Sequence, residues 1–357
     1  MTKTTFRDFD EFADAINGIA GRFVPTARSE TEWWVQVVPV GRVAMQQVQI
    51  GGASTFAGDG TDNALTIGIP VAQPKRIRID GQPLDDRSFI LVKEGQPFTF
   101  AAKQTTLWAG ITVPVDHPSL SQELLISLNS RSADTPSATH TRAQVEQVTR
   151  ATNLVSRLCA EDGSVAFLDA AAARAAEEEI MIITSHVLEA SSRALPKRIG
   201  RPQFSRDRVI ARALAFIEER RGEPLLIQDL CGATQVSERT LRTIFQEHFG
   251  VGPMRLLKVR QLREIRCALM SPEASDHTVT KIAARFGVWD YSLFARNYKA
   301  LYGETPLETL RNGTAARNRA NAMNATWLRY AARKFSDARY PSGIEVPPRP
   351  GLAVAHP

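Results

Sequence analysis

Two hydrophobic periods divide the chain. Between residues 22 and 115, short runs rich in Val, Ile, Thr and aromatic residues follow one another: WWVQVVPV, RVAMQQVQI, ALTIGIPV, RIRID, SFILVKEG, PFTFAA and TLWAGITVPV. Clusters of Gly, Pro, Asp and Asn separate them, which predicts many short strands in a sandwich or small barrel. FILVKEGQPFTF reads as a strand, a tight glycine turn and a strand. Ahead of this region Phe6, Phe9, Phe12, Ile16 and Ile19 are spaced like an edge-packing helix over residues 5–20. After Pro118 the strand pattern stops. Val145, Val148, Val155 and Leu158 fall on one side of a helix over 141–160. An Ala- and Glu-rich stretch over 164–192, with Ile180, Met181, Ile183, Val187 and Leu188, predicts another. These two helices could cap the strands or pack against the same helices of a second chain.

From residue 206 onward every pattern is helical. Val209, Leu214, Phe216 and Ile217 give the apolar contacts of a helix over 206–222. In LLIQDLCGATQVSERTLRTIFQEHFG, residues 225–250, Ile227, Leu230 and Cys231 form a short apolar face. Gln235 and Val236 make a turn, and Ser237 is an N-cap for the next helix. Leu241, Ile244, Phe245 and Phe249 point inward there, leaving Arg239, Arg242, Thr243 and Gln246 outside. The same grammar returns in TVTKIAARFGVWDYSLFARNYKALYGETPLETLR, residues 278–311. Ile282, Ala283 and Phe286 mark a short helix, Gly287 stops it, and Asp290 caps a second helix. Phe294, Tyr298 and Leu301 make its stripe, leaving Tyr291, Ser292, Ala295, Arg296 and Lys299 exposed. Helix, glycine-containing turn and helix is a helix-turn-helix. Between the units, residues 253–271 offer Leu257, Leu262, Ile265 and Leu269 to a buried face. As a helix this stretch is roughly 28 Å long at about 1.5 Å per residue, near the roughly 34 Å turn of B-DNA.

Residues 206–311 resemble the DNA-binding domain of the AraC/XylS family of transcription regulators. The match is carried by Ile282-Ala283, Phe286-Gly287, Asp290, Ser292, Phe294, Arg296, Tyr298-Lys299, Gly303, Pro306 and Arg311. The upstream unit matches at Ser237, Arg239, Leu241, Phe245, Gly250 and Pro253. Val288, where the family usually has an aromatic, and Leu293, where many members have tyrosine, depart mildly from it. By position the resemblance implies base contacts from Arg239, Arg242 and Thr243 in one groove and from Tyr291, Ser292 and Arg296 in the next. Ser237, Gln246 and Lys299 complete the expected DNA-facing set, with Lys299 on phosphate. FILVKEGQPFTF resembles, more weakly, the cupin-like sensor half of many such regulators. A homodimer, a small-molecule effector, contact with RNA polymerase and activation rather than repression are further implications.

Charge sharpens this division. Residues 1–196 hold 17 Lys+Arg against 23 Asp+Glu, and residues 205–312 hold 17 against 13. The tail from 313 holds 7 against 2. An acidic front and basic back suit a regulatory half joined to a half that meets nucleic acid. LPKRIGRPQFS, residues 195–205, has linker composition, and the Pro-rich end from Tyr340 is expected to be disordered.

Candidate chemistry adds little. Cys159, Cys231 and Cys267 are few and widely spaced, as expected of free thiols in a reducing compartment. The acidic start is unlike a signal peptide, and no run reaches membrane-span length. His117 and His140 lack companions at ligand spacing, and GDGTDN, residues 58–63, reads as a turn rather than a calcium loop. No P-loop, nucleophile elbow or Cys–His pair is visible. Trp33, Trp34 and Trp108 are expected mostly in the core, with a pocket wall as the alternative.

The expected fold is α+β. A cupin-like β-barrel (about 22–116) with dimerisation helices (about 141–192) makes an effector-sensing domain over 1–196. A linker at 197–205 leads to an all-α domain with two helix-turn-helix units over 206–312, and a basic tail follows. The expected function is a cytoplasmic, nucleoid-associated, sequence-specific regulator of promoter DNA, with no cofactor, metal or catalytic residue. The alternative is a constitutive DNA-binding protein whose front half only dimerises.

Overall fold

The computed structural model describes residues 3–6, 9–71, 76–85, 88–129, 138–140, 145–160, 170–193, 204–220, 222–271, 274 and 277–312. Most of the expected linker and the whole tail from 313 lie outside the described residues. The front half runs β1 (Thr4–Phe6), α1 (Phe9–Ala15), β2 (Ile19–Pro25), β3 (Trp33–Val40), β4 (Val43–Ile50) and β5 (Ser54–Gly60). It continues β6 (Ala64–Pro70), β7 (Ile77–Ile79), β8 (Gln82–Pro83), β9 (Ser88–Lys93), β10 (Pro97–Ala102) and β11 (Thr106–Pro114). Then come α2 (Gln122–Asn129), β12 (Ala138–His140), α3 (Val145–Ala160) and α4 (Ala170–Arg193). The back half is helical: α5 (Phe204–Glu219), α6 (Ile227–Thr234), α7 (Glu238–Phe249), α8 (Pro253–Met270), α9 (Val279–Arg285), α10 (Tyr291–Tyr302) and α11 (Pro306–Asn312).

The strands form two antiparallel sheets, ordered β1-β3-β4-β11-β6-β9-β12 and β2-β5-β10-β7-β8. Between them lies an aromatic core of Trp33, Val48 and Trp108 against Phe23, Phe56, Phe98 and Phe100. The larger sheet is apolar on its other face too. Val38, Met45, Ile67 and Ile111 take Leu154 and Val155 of α3 and Ile180, Met181 and Val187 of α4. A sheet buried on both faces needs apolar residues on both, which explains runs such as WWVQVVPV. The apolar sides of α3 and α4 are therefore spent on the sheet. Burial in this layer pushes the Cys159 thiol up to about 11, and the three cysteines are thiols rather than disulfides.

Four expectations change. Among the described residues the strands make two sheets, not one closed barrel, joined at an isolated bridge between Gly60 and Glu94. The strand, glycine turn and strand read in FILVKEGQPFTF are present, and the turn at Gly95, φ +61°, carries the chain from β9 in one sheet to β10 in the other. Residues 5–20 are not one helix. Asn17 N–H donates to Gln46 Oε1 at 2.9 Å, and its C=O accepts from Gln46 Nε2 at 2.8 Å. Gly18, φ +80°, lies where a Cβ would come 1.9 Å from Thr66 Oγ1, so Ile19 starts a strand. Strands also continue past Pro118, because β12 pairs with the edge strand β9. In GDGTDN the first three residues finish β5, and the turn is confined to 61–63, where Asn63 has φ +58°.

Candidate nucleic-acid interface

Each half of the helical domain contains a short helix, a tight turn and a longer helix. In the first unit Gln235, φ +56°, ends α6. The Ser237 hydroxyl then accepts from Thr240 N at 3.2 Å and caps α7. In the second, Thr278 caps α9 by accepting from Lys281 N at 3.2 Å. Gly287, φ +76°, turns the chain so close to Pro224 that a Cβ would come within 2.8 Å of its ring. Asp290 accepts from Leu293 N at 2.9 Å and caps α10. Such caps stabilise a helix start by about 1 kcal/mol and fix where it begins. The inward stripes, Leu241, Ile244, Phe245 and Phe249 on α7 and Phe294, Tyr298 and Leu301 on α10, are all buried in one core. Val288, in the position where an aromatic was expected, is buried as well.

Those stripes turn the other faces outward. Ser237, Arg239, Arg242, Thr243 and Gln246 on the first unit are exposed, as are Tyr291, Ser292, Arg296 and Lys299 on the second. Besides the capping Ser237, three are engaged locally. Arg242 pairs with Glu238 one turn back, Thr243 donates to Arg239 O at 3.0 Å, and the Gln246 amide donates to Gly250 O at 2.8 Å. Exposed contacts of this kind are weak enough to exchange for others.

Helix α8 joins the units. Its 18 residues make it about 27 Å long at 1.5 Å per residue. Pro253 fills its first position, where a missing N–H is harmless. Leu256, Leu257, Val259, Leu262, Ile265 and Leu269 are buried along it. At its far end Arg266 pairs with Glu304. Thr309 donates to Glu304 Oε1 at 2.6 Å and accepts from the Tyr298 hydroxyl at 2.9 Å. This network ties α8 to α10 and α11. Burial pushes the Tyr298 phenol up to about 12 from its usual 10.0. Between those pH values the unfolded chain loses a proton that the folded chain keeps. From this group stability should hold below pH 10 and fall by about 1.4 kcal/mol per pH unit above it; burial also raises the Tyr302 phenol, which steepens the same limb. Urea unfolding from pH 9 upward should show that limb, and Tyr298→Phe should make it shallower.

The sequence patterns did not reveal how the helical domain meets the sheets. Arg263 of α8 pairs with Asp10 of α1 at 2.5 Å. Arg255 Nε donates to Thr26 O at 2.8 Å. His248 of α7 is buried, its Nε2 2.8 Å from the Thr99 hydroxyl of β10. That hydroxyl lies 3.2 Å from Asp80 Oδ1, which also accepts from Thr99 N at 2.8 Å. An ionised carboxylate only accepts, so the hydroxyl proton goes to Asp80 and His248 donates from Nε2–H. Val24 and Ala57 of the smaller sheet join the helical core.

Two cavities flank this contact. One of about 240 Å³ lies between β2 and helices α5 and α8, beside Arg22, Glu218, Arg260 and Arg263. Another of about 70 Å³ lies between the sheets, walled by Phe23, Phe56, Phe98, Phe100 and Trp108, with Gln46 and Thr66 as polar groups. Trp33 and Trp34 are buried but do not wall it. Strand alternation puts Phe98 and Phe100 on the cavity and Thr99 on His248. His117 is buried and holds Glu177 at 3.2 Å, tying the end of β11 to α4. Among the described residues no helix is long and apolar enough to cross a membrane.

A family model described as a helix-turn-helix domain matches residues 230–312. The XylDLEGF operon transcriptional activator of Pseudomonas putida is 30% identical over 173 residues, 48% of this chain and 51% of that protein. XylDLEGF operon transcriptional activator 2 of the same organism is 30% identical over 138 residues, 38% of this chain and 84% of that protein. The chain thus spans about half the length of the first of these relatives. Among solved structures, the AraC-like transcriptional activator CuxR aligns over 74% of this chain and 94% of its own, with 11% identity and a TM-score of 0.34.

Proposed function

Because the chain belongs to the AraC/XylS family of transcription regulators, we infer that it binds promoter DNA sequence-specifically and activates transcription in response to a small molecule. The observation that carries this reading is the pair of capped helix-turn-helix units, with nine polar or aromatic residues facing outward and α8 between them. Arg239, Arg242 and Thr243 read one major groove; Tyr291, Ser292 and Arg296 read the next. Ser237 places the start of α7, Gln246 lies along its groove, and Lys299 meets phosphate. Residues 1–196 form a cupin-like sensing and dimerising domain, 197–205 a linker, 206–312 the DNA-binding domain and 313–357 a basic tail. The chain works as a homodimer through the outward sides of α3 and α4, where Ile182 is 57% exposed, and contacts RNA polymerase. It acts in the cytoplasm, on the nucleoid when DNA-bound, and as a regulator rather than an enzyme.

The effector occupies the cavity between the sheets. Its apolar walls suit a small, flat, mostly apolar molecule, and β10 connects that cavity to α7 through Thr99 and His248. Retention of genomic fragments by the purified chain, followed by sequencing, tests DNA reading. A thermal-unfolding screen of small aromatic and aliphatic compounds tests sensing. Thr99→Val should leave DNA affinity within a few fold and abolish its change on adding a compound that stabilises the wild type. An unchanged response in Thr99→Val would remove that route. A chain that binds DNA and is stabilised by no compound would favour the constitutive alternative.

A further inference from the structure

Trp289 lies outside the DNA-facing set above. It is 86% exposed, the highest value among the exposed large hydrophobic residues described. Tryptophan is rarely left in water, because it carries so much apolar surface. Core packing does not account for it, since its neighbour Val288 takes the buried place. Nor is it a loose loop residue. On one side the Val288 N–H donates to Ala283 O at 3.2 Å. On the other, the Asp290 carboxylate caps α10. The backbone is held at both flanks, and the indole is presented to solvent from a fixed point.

That point lies in the turn between α9 and α10. In a docked helix-turn-helix the first helix crosses the sugar–phosphate backbone, and the N-terminal residues of the second reach base edges. A residue in the turn ahead of the second helix comes to the rim between them. Arg285 at the end of α9 and Arg296 and Lys299 on α10 are exposed cations of the same unit; of the acids next to the turn, Asp290 is occupied as a cap and Glu223, beside Pro224, pairs with Arg220. The surface around the indole therefore complements a polyanion. An indole offers one N–H donor and no acceptor, which matches a phosphate oxygen, and its flat face can cover a deoxyribose.

We propose that Trp289 is a positioning contact to duplex DNA, donating its indole N–H to a phosphate and laying its ring on the adjoining sugar at the groove rim of the second unit. The inference rests on the DNA-binding reading above. Its contact is with the backbone, so it adds affinity on any sequence and sets the register of α10 without reading bases.

Tryptophan emission reports it directly. Trp33, Trp34 and Trp108 are buried, and Trp327, outside the described residues, can be replaced by Phe. In the full chain carrying Trp327→Phe, acrylamide should quench one accessible component, absent in a further Trp289→Phe variant. Saturation with duplex, whether a retained genomic fragment or a random sequence, should shield that component. Trp289→Ala should weaken both duplexes by about tenfold, a loss of about 1.4 kcal/mol, at an unchanged unfolding midpoint. An indole still quenched in the bound complex, or unchanged affinity in Trp289→Ala, overturns the proposal and leaves the DNA reading intact. Failure of the parent chain to bind any duplex overturns both.

Discussion

Leu262→Pro should abolish specific DNA binding. Leu262 is buried in the middle of α8, within the single core shared by both helix-turn-helix units. Proline there removes a backbone hydrogen bond, clashes with the preceding turn and kinks the helix, at a cost of about 3 kcal/mol or more. Removal of the leucine side chain adds a cavity cost of about 2–5 kcal/mol. Together these approach the whole stability of a small domain, about 5–15 kcal/mol. The helical domain should therefore melt well below the wild type or hold its two units at a wrong angle. Leu262→Met, which keeps volume, should cost less than about 1.5 kcal/mol and preserve binding. Specific binding by Leu262→Pro at wild-type affinity would show that α8 does not set the geometry.

Replacing Arg239, Arg242 and Arg296 together by alanine should erase sequence preference while sparing the fold. All three are exposed, and the one ion pair they make among the described residues, Arg242 with Glu238, is between exposed side chains, where such pairs contribute about 0–1 kcal/mol. Thermal unfolding should hardly change. On a specific duplex each arginine should be worth about 1–3 kcal/mol. Separated sites add to a first approximation, so the triple variant should fall to its affinity for random DNA. Lys299→Ala should behave differently, weakening all duplexes alike and lowering the salt dependence by about one counterion. Equal losses on specific and random DNA for the arginine variant would move those residues from bases to phosphates.

The helical half was legible because its signals are local. Ser237, Gly287, Asp290 and Gly303 each act on backbone within a turn of themselves, and the inward stripes follow a fixed period. The sheet half was legible only as strands. Which strand neighbours which depends on long-range pairing, such as β11 between β4 and β6, and no local residue type encodes that. Residues 5–20 carried a convincing helical spacing, but Gly18, with a Cβ's space already filled by Thr66, ends it early. The contact between the halves was invisible for the same reason. Asp10 with Arg263, and Thr99 with His248, are 253 and 149 residues apart. Trp289 carried a readable signal, an indole ahead of an N-cap, but only its exposure separates it from a core aromatic.

We infer that the two units act as one rigid ruler. Hydroxyl-radical footprinting of the full chain on a short duplex with a single retained site tests it most directly, with a second duplex carrying four extra base pairs at the centre. Four base pairs turn the far groove by about 140°, given about 10 base pairs per turn. Two protected segments about 10 base pairs apart should appear on one face of the first duplex. On the second the footprint should be lost, with salt-sensitive non-specific binding retained. One protected segment, unmoved by the insertion, would contradict it and make one of the two units purely structural.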